Sequence, residues 1–263
     1  PTVTVIMQRG GPSTGTVIYS QQELVLTCHG GNGEGMRIVY APATLQELYD
    51  LTIKAFNAAW QYRFPTFILG DGYLAKMQGE VEIWDPREKG LELTPATPYL
   101  GDQKNPDLIG KLQPAGSFMI KKNWVNLRNC FNLEEEIFQV NNEIKKAFDN
   151  AAPEIAEYEE YQCADADKII FAYGIVAAAV KQAIQEGKIK NVGLFRPITL
   201  NPFPAEAARE IAGKAKKIYV LESSLGQFAS MVRDNLYGLT TPIYEHGKPG
   251  MGFEPEEIGK ILG

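Results

Sequence analysis

Cysteine is scarce in this chain: three in 263 residues, at positions 28, 130 and 163, with no Cys-x-x-Cys pair. An odd, scattered set argues against a disulfide framework and for a reducing compartment. Without paired cysteines the chain cannot hold an iron–sulfur cluster by itself. Histidine is scarcer still. His29 and His246 are the only two, which argues against a multi-histidine metal site. No apolar run approaches the roughly 20 residues of a membrane-spanning helix. A basic surplus is also missing: 26 lysines and arginines stand against 32 acidic residues, a net charge of −6, and a general nucleic-acid binder needs the opposite balance. There is no initiator methionine. The chain opens Pro1-Thr-Val-Thr-Val-Ile-Met7 and enters an apolar run at once, so it reads as a fragment or a processed product.

What is present is globular. Hydrophobic residues make up 44% and charged residues 22%, enough for a core that needs no covalent support. Residues 2–7 are β-branched and apolar and predict a buried strand. Arg9–Gly15 is a turn-rich loop, and residues 16–27 show no clean period. Cys28–Gly35 holds four glycines and predicts a second mobile loop. A short strand follows at 37–40. Thr44-Leu-Gln-Glu47 is a capping box, and Leu45, Leu48, Thr52, Ala55, Phe56 and Ala59 recur at helical spacing, which predicts a helix over 44–61. Pro65–Leu69 is the next strand, running into Gly70-Asp71-Gly72.

Residues 79–130 differ in character. Pro86, Pro95, Pro98, Pro106 and Pro114 interrupt every long element and predict an irregular excursion. A helix is predicted from Asn132 to about Phe148, then an acidic connection over 153–167. From Lys168 the pattern is regular, with strands at 169–172, 192–195 and 218–221. Helices are predicted at 174–187, at 204–212 and around Phe228–Val232. This alternation implies right-handed βαβ units and a parallel sheet with helices on both faces. The chain therefore reads as two α/β pieces joined by an irregular middle.

Ligands of open α/β sheets bind beyond the carboxyl ends of the strands. Three loops qualify in the first piece: Arg9–Gly15, Cys28–Gly35 and Gly70–Gly72. The first offers a guanidinium at Arg9, close backbone approach at Gly10 and Gly11, and hydroxyls at Ser13 and Thr14. Arginine suits a bidentate grip on a carboxylate or phosphate. A tight turn with a surface arginine is the plainer alternative. Gly-Lys-Ser/Thr does not follow, so the loop is no P-loop. Gly31-Asn-Gly33-Glu-Gly35 lacks the third glycine and the following helix of a dinucleotide site. His29 reads as solvated, with a proton shuttle as the alternative. Cys28 has nothing basic beside it except His29. Asp71 and Glu222 each follow a strand and read as caps or bridging residues ahead of acid catalysts. Trp60, Trp84 and Trp124 read as core or interface. No nucleophile, metal or redox constellation is complete. The chain is either a binding module or part of an enzyme whose other parts lie elsewhere.

An ordered series of motifs resembles one family. Met7-Gln-Arg-Gly-Gly-Pro-Ser-Thr-Gly15, Gly30-Gly-Asn-Gly-Glu34, Arg37-Ile-Val-Tyr-Ala-Pro42 and Leu69-Gly-Asp-Gly-Tyr-Leu-Ala-Lys-Met77 are similar to the α-type subunit of 2-oxoacid:ferredoxin oxidoreductases. The series continues through Tyr158-Glu-Glu-Tyr161, Ala172-Tyr-Gly174, Arg196-Pro-Ile-Thr-Leu200, Pro202-Phe-Pro204, Gly226-Gln227 and Gly247-Lys-Pro-Gly-Met-Gly252. The 2-ketoisovalerate (3-methyl-2-oxobutanoate) type looks closest, with 2-oxoglutarate as the alternative substrate and a non-catalytic scaffold subunit as the alternative role. Asn32 stands where relatives often have histidine, and Thr16-Val-Ile-Tyr19 replaces a usual Leu-Pro-Thr stretch.

The resemblance implies an α/β chain in three parts. Residues 1–84 would be a partial thiamine-diphosphate pyrimidine-type domain, and 85–157 an irregular proline-rich connection with one helix. Residues 158–263 would be a transketolase-C-terminal-like parallel α/β domain. The implied activity is oxidation of a 2-oxoacid to acyl-CoA, CO2 and reduced ferredoxin by a cytoplasmic hetero-oligomer, with this chain inactive alone. Arg9, Gly10, Gly11, Ser13 and Thr14 would bind substrate, and no catalytic or metal-binding residue is expected on this chain. Thiamine diphosphate with Mg2+ would be held mostly by a partner, coenzyme A would be co-substrate, and iron–sulfur clusters would sit on partner chains. Expected partners are a β-type subunit carrying the diphosphate-side domain, a cluster-bearing subunit, ferredoxin and the family's N-terminal portion. That portion carries a threonine-bearing loop and an activating glutamate. No nucleic acid and no membrane are expected.

Overall fold

The computed structural model describes residues 2–16, 19–94 and 132–263. Most of the predicted excursion, with Trp124 and Cys130, lies outside the described residues.

Two sheets organise the chain. The first has three parallel strands, β1 (Val3–Gln8), β2 (Ile38–Tyr40) and β3 (Thr66–Asp71), in the order β1-β3-β2. The second is built from β4 (Tyr158–Tyr161), β5 (Lys168–Phe171), β6 (Val192–Pro197), β8 (Lys217–Glu222) and β9 (Ile243–Gly247), in the order β4-β6-β5-β8-β9. The strand between them in sequence, β7 (Thr199–Asn201), leaves the second sheet and pairs antiparallel with β2. The helices are α1 (Leu24–His29), α2 (Leu45–Tyr62), α3 (Glu134–Ile155), α4 (Gly174–Gln185), α5 (Ala205–Lys214), α6 (Gln227–Asn235) and α7 (Pro255–Leu262).

Alternation along the strands divides the core. Ile38, Tyr40 and Ile68 face Leu51, Ala55 and Ala58 of α2 and Phe148 and Ile155 of α3. Their neighbours Val39 and Leu69 point the other way, into a cluster with Ile169, Phe171, Phe195, Ile218 and Val220 of the second sheet and with α5 and α6. The opposite face of the second sheet carries Ile170, Leu194, Tyr219 and Leu221 against α4 and α7. One continuous apolar layer thus joins the two α/β pieces.

Several expectations need correcting. Residues 2–7 do not form a buried strand: β1 is an edge strand, with Thr4 exposed and Val5 54% exposed. Each sheet carries one antiparallel edge, β7 on the first and β4 on the second, so neither is wholly parallel. The connection at 153–167 contains β4. Its Glu159 meets Lys181 and Arg196, and it pairs with β6, which makes a strand of a segment with little apolar content. The helix begun near Asn132 runs on to Ile155 through Pro153.

The predicted capping box forms with a displacement. Glu47 N–H donates to Thr44 Oγ1 at 3.2 Å, while Glu47 Oε2 accepts from Ala43 N at 2.7 Å. That same carboxylate takes both terminal nitrogens of Arg196, Nη1 at 2.9 Å to Oε1 and Nη2 to Oε2. Arg196 Nη1 also donates to Glu159 Oε2 at 3.1 Å. One buried guanidinium on β6 therefore ties the start of α2 to the edge strand of the other sheet.

Candidate active site

The site grows from the carboxyl end of the first sheet. β1 and β3 end in register, Gln8 beside Asp71. Beyond Gln8 the chain turns back on itself. Thr16 N–H donates to Gly10 O at 2.9 Å, and the Arg9 guanidinium donates to Thr14 O. Gly15 has φ +49°, and a Cβ there would lie 1.5 Å from Gly10 O, so only glycine closes this loop. Gly10 is buried, whereas Arg9, Gly11, Ser13 and Thr14 are exposed. The Gly11–Pro12 peptide is cis. Gly11 N–H donates to Gln22 Oε1 at 2.7 Å. The five residues singled out in the sequence thus share one pinned, solvent-facing loop.

Below the loop lies a buried polar layer. Asp71, 2% exposed, accepts from Ser20 N at 3.0 Å and Tyr73 N at 2.6 Å. Burial pushes its carboxyl up to about 6, against the pull of those N–H groups. The folded state therefore keeps a proton that the unfolded chain, at 3.8, has already lost. Stability should fall as pH rises from about 4 to about 6, by on the order of 2–3 kcal/mol, and then level off. Asp71→Asn should flatten that part of the profile. Urea unfolding at pH 4, 5, 6 and 7 checks this, and equal slopes in both proteins would refute it.

Glu23, at the start of α1, was missed in the sequence. Burial raises its carboxyl, and the Arg9 N–H and guanidinium pull it back; its Oε2 is buried without a hydrogen-bond partner. The only sequence signal was an acid ahead of a short apolar run. α1 itself was missed because six residues are too few to display a helical period.

The second sheet reaches this layer directly. Gln21 N–H donates to Ser223 O at 2.9 Å, Ser223 N–H to Gln21 Oε1 at 2.8 Å, and Gln21 Nε2 to Tyr173 O at 2.9 Å. Gln227 Nε2 donates to Gln22 O at 2.7 Å. Glu222 is 1% exposed and accepts from Phe228 N at 2.9 Å, from Ala229 N at 3.0 Å and from Ser224 Oγ. It caps α6, as the plainer reading had it.

The remaining candidates fall away from the loop. His29 ends α1 and is exposed. Cys28 is buried in the shared core, where burial pushes its thiol up to about 12, so it is no reactive nucleophile. Arg37 spends its guanidinium on Thr27 O at 3.2 Å, Gly30 O at 2.5 Å and Gly35 O at 3.3 Å, tying down the glycine-rich segment that β2 follows. Trp84 and Trp60 are half-buried; Trp84 Nε1 donates to Asp50 at 2.8 Å. Among the described residues no group of three His, Cys, Asp or Glu could hold a metal ion, and no helix is long and apolar enough to cross a membrane.

Comparison with known proteins places this pair of packed α/β sheets in a family. Residues 1–160 match the thiamine diphosphate-binding family of pyruvate flavodoxin/ferredoxin oxidoreductases, and 166–258 match core domain II of pyruvate:ferredoxin oxidoreductase. The chain belongs to this oxidoreductase family. It is 32% identical over 236 residues to the ketoisovalerate oxidoreductase subunit VorB of Methanothermobacter marburgensis, covering 89% of this chain and 62% of that protein. It is 31% identical over 246 residues to the 2-oxoglutarate synthase subunit KorA of Methanocaldococcus jannaschii, covering 86% and 63%. The chain thus spans less than two thirds of the length of these relatives. In fold it is similar to the 2-oxoglutarate:ferredoxin oxidoreductase of Magnetococcus marinus, solved with 2-oxoglutarate, coenzyme A and succinyl-CoA bound. The TM-score is 0.70 at 22% identity, over 100% of this chain and 48% of that one. A split-gene transketolase gives a TM-score of 0.50 at 15% identity, over 93% and 56%.

Proposed function

We propose that this chain is part of the α-type subunit of a cytoplasmic 2-oxoacid:ferredoxin oxidoreductase, and that the Arg9–Gly15 loop holds the substrate carboxylate. The reaction in this reading is oxidative decarboxylation of 2-ketoisovalerate to acyl-CoA, CO2 and reduced ferredoxin. The observation that carries it is Arg9, an exposed guanidinium at the carboxyl end of β1 on a pinned glycine loop, in a chain of a thiamine diphosphate-binding family. Thiamine diphosphate, when bound, supplies the nucleophile and the electron sink. Arg9 grips the carboxylate with two N–H groups and so aims the 2-oxo carbon. Gly10 and Gly11 keep side chains out of the approach, and Ser13 and Thr14 offer hydroxyls at its edge. The reading assigns the metal-and-diphosphate end of the cofactor to a β-type partner. A cluster-bearing subunit and ferredoxin complete the electron path. Among the described residues β1 pairs with a strand on one side only, and the reading gives its other edge to the family's N-terminal portion.

Two cations speak to the substrate. Arg37 is consumed by backbone carbonyls, and Lys248, on the tail that approaches Gly10, pairs with Glu257 at 2.6 Å. A second substrate carboxylate would need a further cation, and these two, the ones beside the loop and its tail among the described residues, are engaged; that supports a branched apolar side chain over 2-oxoglutarate. In the complete complex with ferredoxin as acceptor, kcat/KM should favour 2-ketoisovalerate at least about tenfold, a difference of about 1.4 kcal/mol. The reverse ratio would install 2-oxoglutarate. Turnover by this chain alone with thiamine diphosphate, coenzyme A and a dye would overturn the shared-site reading.

A further inference from the structure

We propose that Gln227, on the second α/β piece, is a positioning residue that sets the pose of the Arg9 loop through Gln22. The proposal rests on the reading of Arg9 as the carboxylate grip. It starts from the Gly226-Gln227 pair, which opens α6 with Gly226 at φ +84°. The N-cap itself, Gly226, has no side chain to hold the first N–H groups of the helix. Here that task is already done, because Glu222 holds the N–H groups of Phe228 and Ala229. Gln227 reaches outward instead. Its Nε2 donates to Gln22 O at 2.7 Å, and its Oε1 accepts from Val25 N at 3.1 Å. Both ends of one amide are engaged on the segment that follows the loop. The side chain of Gln22 then points back, its Oε1 accepting from Gly11 N at 2.7 Å. The path from α6 to the loop is Gln227, Gln22, Gly11, and Arg9 lies two residues from its end.

Neighbouring bonds make this path stiff. Gln21 is fixed to Ser223 and Tyr173 by four hydrogen bonds, and Ser20 N–H is held by Asp71. Residues 20–25 therefore cannot drift while Gln227 holds Gln22 and the N–H of Val25. Remove Gln227, and Gln22 O and Val25 N lose their partner; Gln22 N–H on Ser20 Oγ at 3.1 Å and Glu23 N–H on Gln8 Oε1 at 3.3 Å then hold the segment alone, and the aim of Gln22 Oε1 at Gly11 loosens. Water can reach the exposed Val25 and Gly11 groups, so the fold loses little. The loop loses its preset pose, and substrate binding must supply the ordering.

Only an amide serves both contacts. Glu at 227 would still accept from Val25 but would set a carboxylate against Gln22 O. In the complete complex, Gln227→Ala should raise the KM for 2-ketoisovalerate about tenfold, with kcat within about twofold, and should speed hydrogen exchange at the Gly11 amide. Gln227→Glu should do the same, and it serves as the test if the alanine variant fails to assemble. In an Arg9→Ala background, Gln227→Ala should add little to KM, because the loop then has no grip to position. An unchanged KM with a lowered melting temperature would reduce Gln227 to a packing role. A full multiplicative rise on top of Arg9→Ala, or an unchanged Gly11 exchange rate, would also overturn the proposal. If Arg9→Ala itself leaves KM unaltered, the carboxylate-grip reading fails. In that case the Gly11 exchange rate still decides whether Gln227 holds the loop.

Discussion

In the assembled enzyme, Arg9→Ala should raise the KM for the 2-oxoacid by roughly 30-fold or more. In the proposed reading partner chains close the site over Arg9; a carboxylate held there by two charge-assisted N–H groups is worth on the order of 2–5 kcal/mol, and alanine removes all of it. The loop should survive the change. Its closure rests on Thr16 N–H to Gly10 O and Gly11 N–H to Gln22 Oε1, neither of which uses the Arg9 side chain. The side chain itself reaches Thr14 O, at the exposed surface where water replaces it, and pulls on the Glu23 carboxyl, which burial already holds up. Arg9→Lys should recover only part of the loss, because an ammonium cannot present two parallel donors. Thiamine diphosphate binding should change little. Steady-state kinetics with parallel cofactor titrations measures both, and an unchanged KM and kcat for Arg9→Ala would return the loop to a plain turn.

Arg196→Ala should cost about 3 kcal/mol of stability, toward the low end of the range for breaking a buried ion pair. The guanidinium is only 6% exposed, whereas Glu47 and Glu159 are 27% and 24% exposed, so water relieves part of their loss. Two carboxylates would be left facing each other across the junction with Lys181 as their remaining cation. Burial raises the Glu159 carboxyl, but Lys181 and then Arg196 outweigh it and hold it below its ordinary 4.5. Its contribution is present above pH 4.5 and fades as pH falls below that value. The penalty of Arg196→Ala should therefore shrink in acid. Denaturant unfolding at pH 7 and pH 4 tests this; a loss that is equal at both would disprove the electrostatic account.

How far the sequence carried the fold depended on length and period. The helix α2 was legible because eighteen residues carry a capping box and a repeating apolar face. β5, β6 and β8 were legible as short apolar runs between helices. β4 and β9 were not. Their residues, Tyr-Glu-Glu-Tyr and Ile-Tyr-Glu-His-Gly, are mostly polar, because an edge strand with a wet face needs few apolar side chains. β7 was hidden by its three residues and by having a partner far away in sequence. At the site, the loop from Arg9 to Thr14 was visible from its glycines and guanidinium. Its supports were not: Gln22 is 11 residues away and Gln227 a further 205, and nothing local marks a glutamine as a strut.

The excursion of β7 bears on modularity. Residues 199–201 lie within the region that matches core domain II, yet they supply the outer strand of the sheet in the thiamine diphosphate-binding region. A cut between the two matched regions would strip β2 of its outer neighbour, leaving it only β3, and open the packing around Val39 and Tyr40, both buried in the intact chain. The boundary in sequence is therefore not a boundary in folding. Swapping one region for that of a relative would also require β7 of the donor to suit β2 of the recipient, so the two regions are constrained to be inherited together.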